Sequence, residues 1–237
     1  MKTNHWKRLF YLFILSVLSA GCFKNDVELQ GYGDAFIMVE IQNQDTLKGL
    51  GLHAYSYSEF AMVSVTLKDN ATLSYTLEAY QGYKQDFTYT TPVSQFSKSI
   101  PATGDYVFQA TFADGQVMEF YDKLTSDYIR PPEITSCKYV TSTNRVEVTW
   151  KSVTKATHYN VKLLNDTAKI LFVSPVFDSF TTDYSFSDSS QGWQTSAYPV
   201  NGQNLTVEVA AYMIEPGSTE GELQSISKSR KSIVWNK

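Results

Sequence analysis

The chain has 237 residues, a formal net charge of −4 and a hydrophobic share of 43%, enough apolar matter for one large core or two ordinary ones. Its lysines and arginines are nowhere clustered, which argues against nucleic acid as a partner, since phosphate binding rests on concentrated positive charge. The 16 Tyr and 14 Phe stand among abundant Ser and Thr, a composition that suits pleated, half-buried surfaces, and no stretch after residue 22 holds a helical period, so the chain reads as all-β.

The first element is a leader. Lys2, Lys7 and Arg8 precede the unbroken apolar run "LFYLFILSVL" from Leu9 to Leu18, which Ser19, Ala20 and Gly21 close. Basic, apolar and small-residue zones in that order make a secretory signal, and the run falls short of the roughly 20 apolar residues a membrane span needs. Residues 1–21 are therefore expected to be removed. The block "SAGC", residues 19–22, resembles the lipobox of bacterial lipoproteins, with Ser19 where the family usually carries an aliphatic residue and Leu18 one place further back. Looser boxes of this form look like those of Bacteroides-type lipoproteins. The resemblance implies that Cys22 is lipidated and becomes the mature N-terminus; the other reading is an ordinary secreted protein cut near Ala20 or Gly21. Each buried methylene contributes about 0.8 kcal/mol, so two or three acyl chains make a lasting anchor. In "FKNDVE", Lys24 followed by Asp26 and Glu28 resembles the export signal that sends such lipoproteins to the outer face of the outer membrane. Residues 22–33 are read as a lipid-anchored tether.

Loss of the leader also removes three basic residues and leaves Cys137 as the one cysteine besides Cys22, so no disulfide forms within the fold. "EITSCKYV" alternates like a strand, which makes Cys137 a small core residue rather than a nucleophile. His53 and His158 have no Cys or His at ligand spacing, so no zinc or other metal site is expected.

Residues 34–129 are expected to form an immunoglobulin-like sandwich. "DAFIMVEIQ", "FAMVSVTL", "TLSYTLEAY" and "DFTYTT" read as successive strands parted by polar turns such as "KDNA". A hairpin follows over residues 101–124, with Asp114-Gly115 at its turn, a pair that accepts positive φ at low cost. "TGDYVFQATF" resembles the F strand of bacterial immunoglobulin-like domains, which puts Tyr106 at the tyrosine corner; a fimbrial-subunit sandwich has a similar pattern. Within residues 78–91, Tyr80, Tyr83, Phe87 and Tyr89 crowd around a glycine-containing turn. Alternation puts Phe87 and Tyr89 on one strand face, which is either buried or an aromatic platform for a ligand.

"DYIRPPE", residues 127–133, marks the boundary, because paired prolines suit a stiff extended connection and neither a helix nor a central strand. Beyond it, residues 130–237 carry "RVEVTW" and then Ala156, Tyr159, Val161 and Leu163 in the spacing W-x5-A-x2-Y-x-V-x-L. That resembles two strands of a fibronectin type III domain, whose tryptophan and tyrosine pack between the sheets. "NLTVEVAAYMIEPGSTEG" resembles a later strand of the same family and its turn, with Leu205 where the corner tyrosine usually stands. The fold class is thus two immunoglobulin-like or fibronectin type III-like β-sandwiches in tandem behind a lipoprotein signal peptide. Trp193, in a long polar segment, is either a ligand-stacking ring or a lid folded over one end of the sandwich. "DTL" at Asp45–Leu47 and "DTA" at Asp166–Ala168 resemble the sites that Bacteroides-type bacteria O-glycosylate, which would modify Thr46 and Thr167.

No G-x-S-x-G, H-E-x-x-H or phosphate-cradling glycine loop occurs, and no catalytic residue or cofactor is assigned. The expected function is that of a non-catalytic surface lipoprotein, lipid-anchored in the outer membrane and exposed at the cell surface. Its role is adhesion or glycan capture, with a polysaccharide or a surface protein as partner. The alternative is a structural spacer or a subunit of a surface assembly, including a fimbrial one.

Overall fold

Alternation of apolar and polar residues turns nearly the whole described chain into strands. The computed structural model describes residues 29–195, 198–218 and 221–237; the signal segment, Cys22 and the tether up to residue 28 lie outside the described residues. Residues 31–33, read above as the end of the tether, are strand.

The N-terminal half contributes β1 (Gly31–Gln42), β2 (Asp45–Ser56), β3 (Phe60–Leu67), β4 (Asn70–Tyr80), β5 (Tyr83–Thr90), β6 (Gly104–Phe112) and β7 (Val117–Leu124). The C-terminal half contributes β8 (Ile134–Val140), β9 (Arg145–Trp150), β10 (His158–Leu164), β11 (Ile170–Val173), β12 (Phe177–Asp178), β13 (Asp183–Phe186), β14 (Gln203–Ile214) and β15 (Leu223–Trp235). No α-helix occurs among the described residues, and one 3-10 turn spans Val93–Gln95. Strand β2 has no counterpart in the sequence reading.

In the N-terminal half, β4 belongs to two layers. Its first part pairs with β3, from Asn70 to Leu77, and its end pairs with β5 at Glu78, Ala79 and Tyr80. The layer β1-β2-β5 is thereby folded over the layer β3-β6-β7. Phe60, Val63, Val65, Phe108 and Phe112 fill the space between. Gly31 and Gly33 face inward, and a Cβ on either would collide with the ring of Phe120 or Phe108, so β1 is glycine-rich because two aromatic rings lie flat on its backbone. Tyr106 is fully buried, and its hydroxyl donates to the carbonyl of Ala102 at 2.6 Å, which is the geometry of a tyrosine corner.

The C-terminal half is a sandwich of β13-β9-β8 against β11-β10-β14-β15, a fibronectin type III-like arrangement. Val146, Val148 and Trp150 point across to Tyr159, Val161, Leu163, Val207 and Val209, all buried. Trp150 and Tyr159 meet with ring centroids 5.6 Å apart, and the Tyr159 hydroxyl accepts from the amide of Val153 at 2.7 Å. Leu205, at the position lacking a corner tyrosine, is simply core.

The main sheet does not stop at residue 130. Strand β15 pairs with β14 on one edge and, in parallel, with β1 on the other, from Ile37↔Ser225 to Glu40↔Lys228. Gly31–Lys237 is accordingly one compact unit. Buried polar side chains on β15 hold the connection against this seam. The side-chain amide of Gln224 donates to the carbonyls of Thr125 (3.2 Å) and Asp127 (2.8 Å), and its oxygen accepts from the Thr125 hydroxyl at 2.8 Å. Ser225 Oγ donates to the carbonyl of Ile37 (3.1 Å), and Ser227 Oγ to that of Arg130 (3.0 Å). Further along, Arg230 reaches Glu208 on β14 at 2.7 Å and Glu40 on β1 at 3.3 Å, so one guanidinium spans three neighbouring strands.

Each of the three Gln224 hydrogen bonds is worth about 1 kcal/mol net, and the partners on Thr125 and Asp127, both exposed residues, would turn to water. Gln224→Ala is therefore expected to lower unfolding stability by about 3 kcal/mol in urea titration. It should also speed amide hydrogen exchange at Ile129, which is tied to the same strand through Ser225 Oγ.

Candidate functional site

The continuous sheet gives residues from both halves a common face. On β1, Tyr32 and Asp34 alternate with the inward glycines, and the antiparallel register sets Tyr32 opposite Tyr55 and Asp34 opposite His53 on β2. On the far side of the seam, β10 and β14 pair His158 with Tyr212. These side chains, together with Tyr57 and Val176, line a groove of about 650 Å³. It opens where the first residues of β1 precede the parallel ladder with β15. That volume falls within the range of small-molecule and oligosaccharide sites.

Three tyrosines form a row. The rings of Tyr32 and Tyr55 lie 6.4 Å apart, tilted by 31°, and those of Tyr55 and Tyr57 lie 5.4 Å apart and nearly perpendicular. Tyr57 is 70% exposed, which leaves one ring open to solvent at the rim. Opposite them the Tyr212 hydroxyl donates to Asn160 Oδ1 at 3.1 Å, and burial pushes the phenol up to about 12. His53 Nε2 lies 2.9 Å from Asp86 Oδ1, which fixes the imidazole against β5.

Carboxylates crowd behind the tyrosines. Both oxygens of Asp34 accept from the amide of Leu223, at 3.2 and 3.0 Å, and Asp122 Oδ2 accepts from the amide of Ala35 at 2.6 Å. Burial, only partly offset by the Leu223 amide and reinforced by Asp122, Glu215 and Glu222, raises the Asp34 carboxyl to about 8. Burial also lifts Glu215 to about 7, with Asp122 and Glu222 adding to the effect. Asp122 rises for the same leading reason. Among the described residues no group of three His, Cys, Asp or Glu is arranged to hold a metal ion.

The residues singled out in the sequence lie elsewhere. Trp193 bridges Phe172 on the outer side of β11, where the carbonyl of Gly192 accepts from Val173 (2.9 Å) and the amide of Gln194 donates to Leu171 (2.8 Å). Its ring packs on Phe172 at 5.4 Å and Trp235 at 5.9 Å, and its indole N–H donates to the carbonyl of Ser187 at 3.1 Å. It closes a sheet edge and packs against the core. Phe87 is 7% exposed and meets Phe60 edge-on, so it lies on the buried side of β5. Tyr89, on the same inner face, is half-buried and packs against Tyr75 at 4.9 Å. Tyr80 and Tyr83 flank the Gln81-Gly82 turn and are exposed, 45% and 64%, so the four aromatics do not share a plane. Thr46 is half-buried near the start of β2, and Thr167 is exposed in the β10–β11 turn with its hydroxyl donating to Asn165 Oδ1 at 2.9 Å. Cys137 is partly buried against the core, and burial pushes its thiol up to about 11.

The tyrosine row escaped sequence reasoning because Tyr32 fell in the tether and Tyr55 and Tyr57 in a segment given no strand. The available signal was alternation of small residues with Tyr, Asp and His in "GYGD" and "HAYSY".

No family model and no curated protein matches the chain. Among solved structures, "Biofilm associated protein - BSP domain" is 13% identical, with 86% of this chain and 29% of that one covered and a TM-score of 0.25. "Tp47, the 47-Kilodalton Lipoprotein of Treponema pallidum" is 12% identical, over 84% of this chain and 50% of that one, at 0.37. A two-domain fibronectin type III segment from chicken tenascin is 13% identical, over 86% of this chain and 97% of that one, at 0.30. The chain thus spans half or less of the length of the first two. At scores this low the neighbours add nothing to the strand pairing itself.

The carboxylates make stability pH-dependent. A carboxyl whose folded pKa is raised binds a proton that the unfolded chain has released, so stability falls as pH rises between the two values. For Asp34 that window runs from 3.8 to about 8, and for Glu215 from 4.5 to about 7. Asp34→Asn keeps an acceptor for the Leu223 amide and loses the ionisation. Thermal melts should show the parent chain less stable at about pH 8 than at about pH 5, and the variant with a clearly shallower decline. Equal slopes for the two proteins would show that Asp34 titrates normally.

Proposed function

We propose that the chain is a non-catalytic lipoprotein of the bacterial cell surface, held in the outer membrane through Cys22, and that it captures glycan in the tyrosine-lined groove. The observation that carries this reading is the row Tyr32, Tyr55 and Tyr57 along a concave sheet face of about 650 Å³. Sugar rings present flat C–H faces, and tyrosine offers both an apolar plane and a hydroxyl at the wet end of a site. The groove meets the ordinary description of a binding site, concave and mostly apolar with few polar groups converging on it. The order of basic, apolar and small residues before Cys22 supports the address.

A second reading, a rigid spacer or assembly subunit, is favoured by the seam, which leaves no flexible hinge where the two prolines stand. The two readings part on binding.

Retardation of the fragment 28–237 in polysaccharide-containing native gels tests the glycan reading. The parent fragment and Trp193→Ala, if folded, are expected to be retarded alike, whereas Tyr57→Ala should weaken binding about tenfold, the equivalent of one ring contact. Absence of retardation across a broad polysaccharide panel would leave the spacer reading. Mass spectrometry of the membrane-extracted protein is expected to find a mature terminus at Cys22 carrying acyl chains; an unmodified thiol there would remove the anchor.

A further inference from the structure

We propose that the groove selects a sugar bearing a free ammonium group, a hexosamine that is not N-acetylated, over neutral, acetylated or acidic sugars. The sugar half of this inference rests on the glycan reading above; the ammonium half stands on the groove itself.

Among the described residues the lining offers acids and aromatic faces and no lysine or arginine. Tyr32, Tyr55, Tyr57 and Tyr212 present aromatic rings whose faces carry negative quadrupole density, and Asp34 and Glu222 add carboxylates beside them. Its basic side chains are His53 and His158, of which His53 is held by Asp86. An acidic sugar would meet Glu222 in the lining and add one more acid to the group of Asp122, Glu215 and Glu222 that already acts on Asp34. A neutral or acetylated sugar could stack on a tyrosine and would leave the carboxylates as they are. An ammonium group gains on both counts: cation–π attraction from rings set nearly perpendicular to each other, and a charge partner for Asp34, whose carboxyl burial, reinforced by the neighbouring acids, holds protonated in the empty site.

That relief has a signature. A permanent cation entering beside Asp34 displaces its proton into solvent, so its affinity rises with pH across the range in which the empty site still holds that proton. The groups facing Asp34 are Glu222 just ahead of β15 and Leu223 at its start, Glu215 after β14, Asp122 on β7 and His53 on β2.

Calorimetry on the fragment 28–237, which contains the whole compact unit Gly31–Lys237, tests the inference with four probes. These are a fully deacetylated glucosamine oligomer, its N-acetylated counterpart, a glucose oligomer of equal length, and benzyltrimethylammonium chloride, whose charge does not titrate. At about pH 6 the deacetylated oligomer is expected to bind about tenfold more tightly than the other two, and Glu222→Gln should narrow that gap by weakening the deacetylated oligomer more than the glucose oligomer. Benzyltrimethylammonium should bind more tightly as pH rises from about 6 to about 8, with proton release, and Asp34→Asn should abolish that dependence. Equal affinity for the three oligomers overturns the ammonium selection and leaves glycan capture standing. Binding of benzyltrimethylammonium alone supports the ammonium site and sinks the glycan reading. No binding of any probe overturns both.

Discussion

Four residues of β1 laid parallel against β15 join what would otherwise be two sandwiches on a string. A parallel ladder this short is weak by itself, and its neighbours are what make it hold. Gln224 and Ser227 turn polar side chains onto the connecting segment and Ser225 onto both it and β1, all three nearly or fully buried, while Arg230 sits between Glu40 and Glu208. Glu40 and Glu208 have side chains 8% and 4% exposed, too enclosed to stand without a cation. The arrangement is self-consistent: removing any one partner leaves a buried polar group whose desolvation has no compensation. Rigidity between the halves therefore comes from a polar seam rather than from a large apolar interface.

The seam also determines which side chains can act together. Because the sheet is continuous, side-chain direction is set by one alternation across β10, β14, β15, β1 and β2, and residues more than a hundred positions apart share a face. Glycine on the opposite face of β1 is a condition for this. With Phe120 lying on Gly31 and Phe108 on Gly33, the backbone of β1 sits close to the core, and the bulky Tyr32 and Asp34 of that stretch are directed outward. Further along, on the face that carries the tyrosines, Gly49 of β2 lies under Phe96 and Gly51 under Phe36, so the open row is confined to the start of β1 and the end of β2. Tight packing on one side of the sheet and an open aromatic row on the other are thus two consequences of one sequence pattern.

Much of the architecture was legible because it is written locally. "FAMVSVTL" and "RVEVTW" alternate cleanly and are strands at those residues, Asp114-Gly115 turns a hairpin, and the Tyr106 corner closes on Ala102. The fibronectin type III-like spacing around Trp150 and Tyr159 describes contacts that exist. What was illegible depends on partners distant in sequence. Strand β2 was hidden by Gly49 and Gly51, which lower strand propensity and are explained only by rings arriving from β1 and from Phe96. Trp193 resembled a free loop residue because its partner strand, β11, is four residues long and lies twenty positions back. The groove could not be read at all, since nothing local says that β15 will accept β1, and without that pairing Tyr32 and Tyr212 belong to different sandwiches.

The carboxylates around Asp34 bring the sheet and the groove into one argument. A purely structural seam would have no use for four acidic groups gathered where burial, reinforced by mutual repulsion, raises Asp34, Asp122 and Glu215, because each raised pKa subtracts stability at neutral pH. Asn or Gln would satisfy the Leu223 and Ala35 amides equally well and cost nothing in charge. Natural proteins retain such locally unfavourable choices mainly where the group has a task outside the fold. The surplus is gathered at the end of the sheet where the ladder has not yet begun and the tyrosines face outward; along the seam proper, the buried Glu40 and Glu208 share Arg230. Within a single sheet, then, compensated charge accompanies the part that holds the halves together, and uncompensated charge accompanies the part that is open to a ligand.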